Sequence, residues 1–139
     1  MDRPAGHLLR LGCTLVPLVG LQFAMLLTIE FPDAGGDAAV GKRTLVVRLG
    51  ARRAAALCRA VLVAVYGSVP LLMMGGLPPG AALAVALPAP IAAWQFLRLG
   101  QGAAEDPRRW EGLALSGVAL LVGSAATLLA AFVWLGPRR

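Results

Sequence analysis

The chain has 139 residues, of which 58% are hydrophobic and 14% are charged, whereas an ordinary soluble domain carries roughly 25% charged residues. Thirteen Lys and Arg against seven Asp and Glu give a net charge of +6, but the mean hydropathy of +0.75 excludes a soluble nucleic-acid-binding module and a disordered chain. The length excludes a two-domain soluble enzyme. We therefore predict an integral membrane protein, or one part of a larger one, with no nucleic acid among its partners.

Four stretches of the chain are long and apolar enough to cross a bilayer, which takes about 20 residues of helix. They cover residues 11–29, 54–75, 77–99 and 113–135. Backbone inside hydrocarbon must satisfy its own hydrogen bonds, so we predict four transmembrane helices in one all-α membrane domain, residues 1–139. Arg59 and Arg98 are the only charged residues in these stretches, and both lie near an end. Pro88 and Pro90 interrupt the third stretch, where either a kink shapes a cavity or the prolines are simply tolerated, as they are in many membrane helices.

The connections predict how the helices are oriented. The polar connections 30–53 and 100–112 lie on one side of the bilayer and the tight turn 75–80 on the other. Eight Lys and Arg lie at the first side, against four near the two termini. The positive-inside rule places both polar connections in the cytoplasm and both termini outside. Trp110 and Trp134 are either interfacial anchors or incidental aromatic residues at the helix ends.

Residues 30–50 form the most informative segment. Three acidic residues precede three basic residues: Glu30, Asp33, Asp37, Lys42, Arg43 and Arg48. Pro32 and Gly35–Gly36 predict that this segment is not one regular helix, although a kink or short turn would still aim the three carboxylates at one point. Carboxylates favour Mg²⁺, which is often held together with substrate phosphates, and the basic residues suit phosphate. The alternative is a solvated loop whose charges only set the topology.

A family resemblance favours the first of these interpretations. The pattern is Asp33-x-x-x-Asp37-x-x-x-Gly41-Lys42-Arg43-Thr44-Leu45-x-Val47-x-Leu49-Gly50. It resembles the second aspartate-rich motif of the UbiA superfamily of intramembrane prenyltransferases. Its second half is most similar to the branch that prenylates 1,4-dihydroxy-2-naphthoate in menaquinone biosynthesis. One helix before the motif and three after it resemble the C-terminal part, the sixth to ninth helices, of a nine-helix bundle.

The resemblance implies an activity and roles for the motif residues. Mg²⁺ held by Asp33 and Asp37 would bind an isoprenyl diphosphate, and the allylic cation left by the diphosphate would be attacked by an aromatic acceptor. These two residues are the implied catalytic and metal-binding residues, while Lys42, Arg43 and Arg48 are the implied diphosphate partners. Glu30 would be a third metal ligand or a supporting group. The implied location is the bacterial inner (plasma) membrane, with the motif loop 30–53 in the cytoplasm.

One part of the family pattern is missing. Relatives carry a first motif, typically Asn-Asp-x-x-Asp, on a facing loop, but this chain contains no asparagine. We therefore expect the chain to be a fragment that lacks prenyltransferase activity alone. A truncated enzyme, half of a split enzyme that needs an N-terminal partner, and an inactive remnant are the three explanations.

Two other classes of function remain as alternatives. A small four-helix transporter fits the length, but it would need an ionisable residue inside a span, and Glu30, at a helix end, is the only acidic candidate. A non-catalytic membrane assembly protein fits the abundance of small residues in the spans, such as Gly117 and Gly123, because small residues let helices approach closely.

Overall fold

A computed structural model describes residues 4–135, with side chains placed for residues 12–133. Two 3₁₀ turns, Ala103–Glu105 and Pro107–Arg109, accompany six helices: α1 (Pro4–Ala39), α2 (Leu45–Leu49), α3 (Ala51–Met74), α4 (Pro79–Ala86), α5 (Ala89–Gly100) and α6 (Trp110–Leu135). No strand occurs in the described range. The side chain of Trp134, a candidate interfacial anchor, and the arginines near both termini lie outside the described side chains.

The prediction of an all-α membrane protein is confirmed. Helices α1, α3 and α6 are each long and apolar enough to cross a bilayer, and α4 with α5 forms a fourth candidate span. These two short helices meet at an angle of 43°. The predicted third stretch, residues 77–99, is therefore a bent pair rather than one continuous helix.

The bend in the third span has an identifiable cause. Pro88 has no N–H to donate to the carbonyl of Ala84, which would be its partner in a continuous helix. The Ala84 carbonyl instead accepts a hydrogen bond from Thr127 Oγ1 of α6, at 2.7 Å, the shortest of three carbonyl contacts that this hydroxyl makes. A side chain from a neighbouring helix thus satisfies the backbone group that the proline releases, which is how proline is tolerated in membrane helices.

Helix α1 corrects one sequence prediction. Its 36 residues continue through Pro17, Pro32 and the Gly35–Gly36 pair to Ala39, so the predicted interruption at residues 32–36 is wrong. At 1.5 Å per residue the helix is about 54 Å long, well beyond the roughly 30 Å of bilayer hydrocarbon. Burial of Phe31 at 1% exposure ties the extended end to the core.

The core forms where α1 packs against both α3 and α6, with α4 and α5 completing the bundle. Gly117 of α6 lies so close to Met25 and Thr28 of α1 that a Cβ atom there would be 3.3 Å from the Met25 Cα and would collide with the Thr28 hydroxyl. Gly20 of α1 approaches Val65 of α3 in the same way. The end of α1, helix α2, the start of α3 and the 3₁₀ turns meet at one end of this bundle.

Candidate functional site

The acidic residues of the 30–50 segment lie in the last turns of α1, and the basic residues follow the end of that helix, which is closed by a glycine. Gly41 has a φ of +75°, a left-handed conformation that favours glycine. Its N–H donates to the Ala38 carbonyl at 3.1 Å, and the N–H of Lys42 donates to the Asp37 carbonyl at 2.8 Å. This pair of bonds is the Schellman motif, which ends α1 and turns the chain back on itself.

The reversal brings Lys42 onto Asp37. Lys42 Nζ donates to Asp37 Oδ1 at 3.0 Å, with the lysine side chain 64% exposed and the aspartate side chain 14% exposed. A surface ion pair of this kind contributes little to stability, about 0 to 1 kcal/mol. Its consequence is geometric, because one cation is held beside the last carboxylate of the acidic series.

Helix α2 is a short connector with defined ends. Thr44 is its N-cap, with Oγ1 accepting from the Val47 N–H at 3.4 Å. The Val46 side chain is buried, and Gly50, with a φ of +77°, joins α2 to α3. Gly41, Thr44 and Gly50 of the motif therefore have structural roles. The sequence alone did not distinguish these positions from the charged motif residues to which it assigned chemical roles.

Glu30 is also held by this connector. Its Oε2 accepts a hydrogen bond from the Val46 N–H at 3.2 Å, across sixteen residues of sequence. The carboxylate therefore ties α1 to the first turn of α2, where negative charge is favourable. This contact gives Glu30 a structural role that the sequence did not predict.

Asp33 lies between the other two acids and differs from both. It is exposed, and no ion pair or hydrogen bond to its side chain is found among the described residues. Asp33 and Asp37 are four residues apart on an unbroken helix, so they share one face with side chains about 5 to 6 Å apart at Cβ. These are the two acids that the structure leaves side by side.

The three acids do not converge on one point, as a kink would have arranged. Glu30 and Asp37 are seven residues apart in one continuous helix, which is about 10 Å along the axis. In the described part of the chain no group of three or more Asp, Glu, His or Cys is arranged to hold a metal ion. Arg43 and Arg48 are exposed and have no ion-pair partner there.

An apolar cavity of about 280 Å³ lies beneath the connector. Phe31, Ala34 and Ala38 of α1 form one wall, and Ala104 and Trp110 form another. The Trp110 indole N–H donates to the Ala104 carbonyl at 2.9 Å, which fixes the ring. The sequence offered no signal for this cavity, since its walls come from segments more than sixty residues apart.

One face of α1 carries no neighbouring helix. Leu15, Val19, Gln22 and Leu26 recur at spacings of three and four residues, and all are exposed. Asp33 lies on the same face of the helix, seven residues or about two turns beyond Leu26. The exposed stripe is therefore apolar except for Gln22, and it lies on the same helix face as Asp33.

The chain was compared with known proteins. The sequence model of the UbiA prenyltransferase family matches residues 6–117, which includes the whole acidic and basic segment. Searches of curated proteins and of solved structures gave no match.

Proposed function

The chain belongs to the UbiA prenyltransferase family, and we propose that it supplies part of the active site for moving an isoprenyl group from its diphosphate to an aromatic acceptor. The observation that carries the proposal is the pairing of Asp33 with Asp37 on one face of α1, with Lys42 held at 3.0 Å from Asp37. The similarity of the motif tail supports 1,4-dihydroxy-2-naphthoate as acceptor, in menaquinone biosynthesis.

The acidic pair fits a magnesium ion that is shared with a diphosphate. Mg²⁺ is commonly held by one or two carboxylates together with substrate phosphates, so a protein cage of three acids is not required. Asp33 and Asp37 would hold the ion, and Glu30, already bonded to Val46, would fix the helix end that carries them. Bound Mg²⁺ would supply charge neutralisation for the departing diphosphate.

The basic residues are proposed to bind the diphosphate directly. Lys42 is pre-positioned by the α1 end, and a diphosphate oxygen would compete with Asp37 for its ammonium group. Arg43 and Arg48 are exposed and have no ion-pair partner among the described side chains, and guanidinium groups suit phosphate oxygens because they donate in pairs. Together these cations would hold the leaving group while the apolar tail lies toward the membrane.

A second helical unit is proposed to complete the site. Gln22 is exposed in the middle of a membrane helix, where an unpaired polar group in lipid is costly. A helix packed on the exposed stripe of α1 would satisfy it and would face Asp33. We propose that this unit is an N-terminal half bearing the first aspartate-rich motif, and that the chain alone is inactive. We place the complete enzyme in a bacterial inner membrane, with the motif end of the bundle on the cytoplasmic side.

The first test is binding by the purified chain in detergent. Geranylgeranyl diphosphate is titrated with Mg²⁺ and then with excess chelator, by calorimetry. We expect binding that requires Mg²⁺ and that the Asp33→Asn/Asp37→Asn double variant loses, whereas the control Glu111→Gln, an exposed acid near the same end, retains it. Equal binding in chelator, or in the double variant, would overturn the acidic pair as a metal site.

The second test separates the proposal from its rivals. The chain alone is placed in liposomes with Mg²⁺, the diphosphate and 1,4-dihydroxy-2-naphthoate, and we expect no prenylated product. Turnover by the chain alone would contradict the need for a second unit. Proton-coupled solute uptake by the same liposomes, without Mg²⁺-dependent diphosphate binding, would instead favour the transporter alternative.

A further inference from the structure

A second pocket at the same end of the bundle has a different character from the apolar cavity. Its volume is about 270 Å³, and it lies between the start of α3, the end of α5 and the first 3₁₀ turn. Its charged lining residues are Arg52, Arg59 and Glu105. None of these belongs to the acidic and basic segment of residues 30–50.

Arg59 is the unusual group in this pocket. It lies eight residues into α3, a helix long enough to cross the membrane, and it is only partly exposed. Its guanidinium stacks on the Phe96 ring, 4.3 Å from the centroid. Its Nε is buried without a hydrogen-bond partner, and it has no ion pair among the residues whose side chains are placed. A cation on a membrane helix with a buried nitrogen that lacks a hydrogen-bond partner is stabilised when an anion binds beside it.

The rest of the pocket leaves the charge of Arg59 unbalanced. Glu105, the one acid in the lining, is 3.5 Å from Arg52 Nε and is therefore paired with that exposed arginine rather than with Arg59. Two cations and one anion leave an excess of one positive charge. The lack of a side chain at Gly100 keeps the pocket open beside Arg59, because a Cβ there would lie 3.2 Å from the Arg59 Cζ.

The surroundings indicate the kind of anion. Val63 on α3 and Leu97 on α5 are exposed, on the two helices that flank the pocket. An anion bound at Arg59 would therefore have apolar helix surface beside it. A phosphodiester carries one negative charge, which equals the excess, and it is attached to acyl chains in a membrane lipid. Basic pockets between membrane helices commonly receive such headgroups.

We propose that the pocket between α3, α5 and the first 3₁₀ turn binds the headgroup phosphate of an anionic phospholipid through Arg59 and Arg52. The pocket holds no acid pair for a metal, so it differs from the proposed diphosphate site around Asp33 and Asp37. The proposal does not depend on prenyl transfer, and it holds or fails independently of it.

The test uses the full chain purified in detergent and native mass spectrometry. Phosphatidylglycerol is titrated against phosphatidylcholine, which has the same phosphate but no net charge. We expect preferential retention of phosphatidylglycerol by the wild type. Arg59→Gln should weaken its binding about tenfold or more, since charge-assisted hydrogen bonds are lost. The matched control Arg53→Gln removes an exposed arginine of the same helix that does not line the pocket, and it should change binding less than twofold.

A second variant keeps the proposal testable if Arg59→Gln does not fold. Glu105→Gln raises the positive excess of the pocket and should tighten phosphatidylglycerol binding severalfold; no tightening would overturn the proposal. Equal retention of the two lipids, unchanged binding in Arg59→Gln, or an equal loss in Arg53→Gln would each overturn it as well. Displacement of the lipid by millimolar inorganic phosphate would assign the pocket to a soluble anion instead.

Discussion

The charged end of the bundle and its α1–α6 interior are built on opposite principles. At the charged end, Asp33 and Lys42 are exposed, and the surrounding geometry is set by the glycine cap at Gly41 and the side-chain cap at Thr44. In the interior, Gly117 lies against Thr28 with no room for a methyl group. The first region leaves Asp33, Arg43 and Arg48 exposed and without ionic partners among the described side chains, whereas the second uses the absence of a side chain to bring two helices together.

Because the two regions differ in this way, separate substitutions should affect the proposed activity and the stability of this chain. Removing an exposed carboxylate deletes few packing contacts, so the fold should tolerate it. Adding one carbon at the α1–α6 contact alters no charged group, but it forces packed helices apart. Substitutions in the two regions should therefore affect different measurements, and the following four predictions test that separation.

The largest effect is expected from Asp33→Asn. In an enzyme reconstituted with its complementary helical unit, we expect the rate of prenyl transfer to fall at least 100-fold, because the proposed Mg²⁺ site loses one carboxylate ligand and with it the cation that would neutralise the departing diphosphate. The thermal unfolding temperature of the purified chain should stay unchanged, since Asp33 is exposed. Near-normal transfer by Asp33→Asn would contradict the proposed role. A lowered unfolding temperature would contradict the expectation that this substitution affects activity without affecting stability.

Gly117→Ala should show the reverse behaviour. We expect the free energy of unfolding in micelles to fall by about 2 to 3 kcal/mol, because the new Cβ collides with Thr28 and approaches the Met25 backbone. Mg²⁺-dependent diphosphate binding by the protein that remains folded should be normal. Gly123→Ala is the matched control on α6, where a Cβ would lie 3.8 Å from the nearest atom of Pro88, an ordinary contact. Equal effects at both glycines would contradict the close approach at Gly117.

Gly41→Ala tests the cap that closes α1. A left-handed conformation costs a residue with a Cβ about 1 to 2 kcal/mol, so stability should fall by that amount. Because the cap also brings Lys42 to Asp37, diphosphate binding should weaken too, making this the one position that affects both measurements. Gly36→Ala is the control, since its Cβ would meet nothing and glycine is unfavourable inside a helix; stability should rise by about 0.5 to 1 kcal/mol.

The smallest effect is expected at the proline break. Thr127→Val keeps the side-chain shape but leaves the Ala84 carbonyl without its donor, and hydrogen bonds between membrane helices contribute about 0.6 to 1.7 kcal/mol. We expect a loss of about 1 kcal/mol in the free energy of unfolding, with diphosphate binding unchanged. Thr127→Ser retains the hydroxyl and should recover most of the stability. A loss in Thr127→Ser as large as in Thr127→Val would show that the methyl group, and not the hydrogen bond, matters.

The sequence predicted the all-α membrane class because that class depends on composition over about 20 residues. It was wrong about the segment around Pro32, since local rules for proline and glycine favour an interruption there. Tertiary packing overrode those rules: Phe31 is buried, and α1 ends only where Gly41 adopts a left-handed conformation. A kink at Pro88, one of the two alternatives there, is present, but the donor that supports it, Thr127, lies 43 residues away from Ala84.

The all-α membrane architecture, the order of acids and bases, and the family motif can all be predicted from the sequence, because each is a property of short stretches of chain. Which of those charged residues have partners depends instead on how the helices pack. In the folded chain Glu30 is hydrogen-bonded to Val46 and Lys42 is paired with Asp37. Asp33 and Arg59 have no ionic partners among the described side chains. The physical reason is that a hydrogen bond or ion pair depends on distances of about 3 Å, which are set only when separate helices pack together.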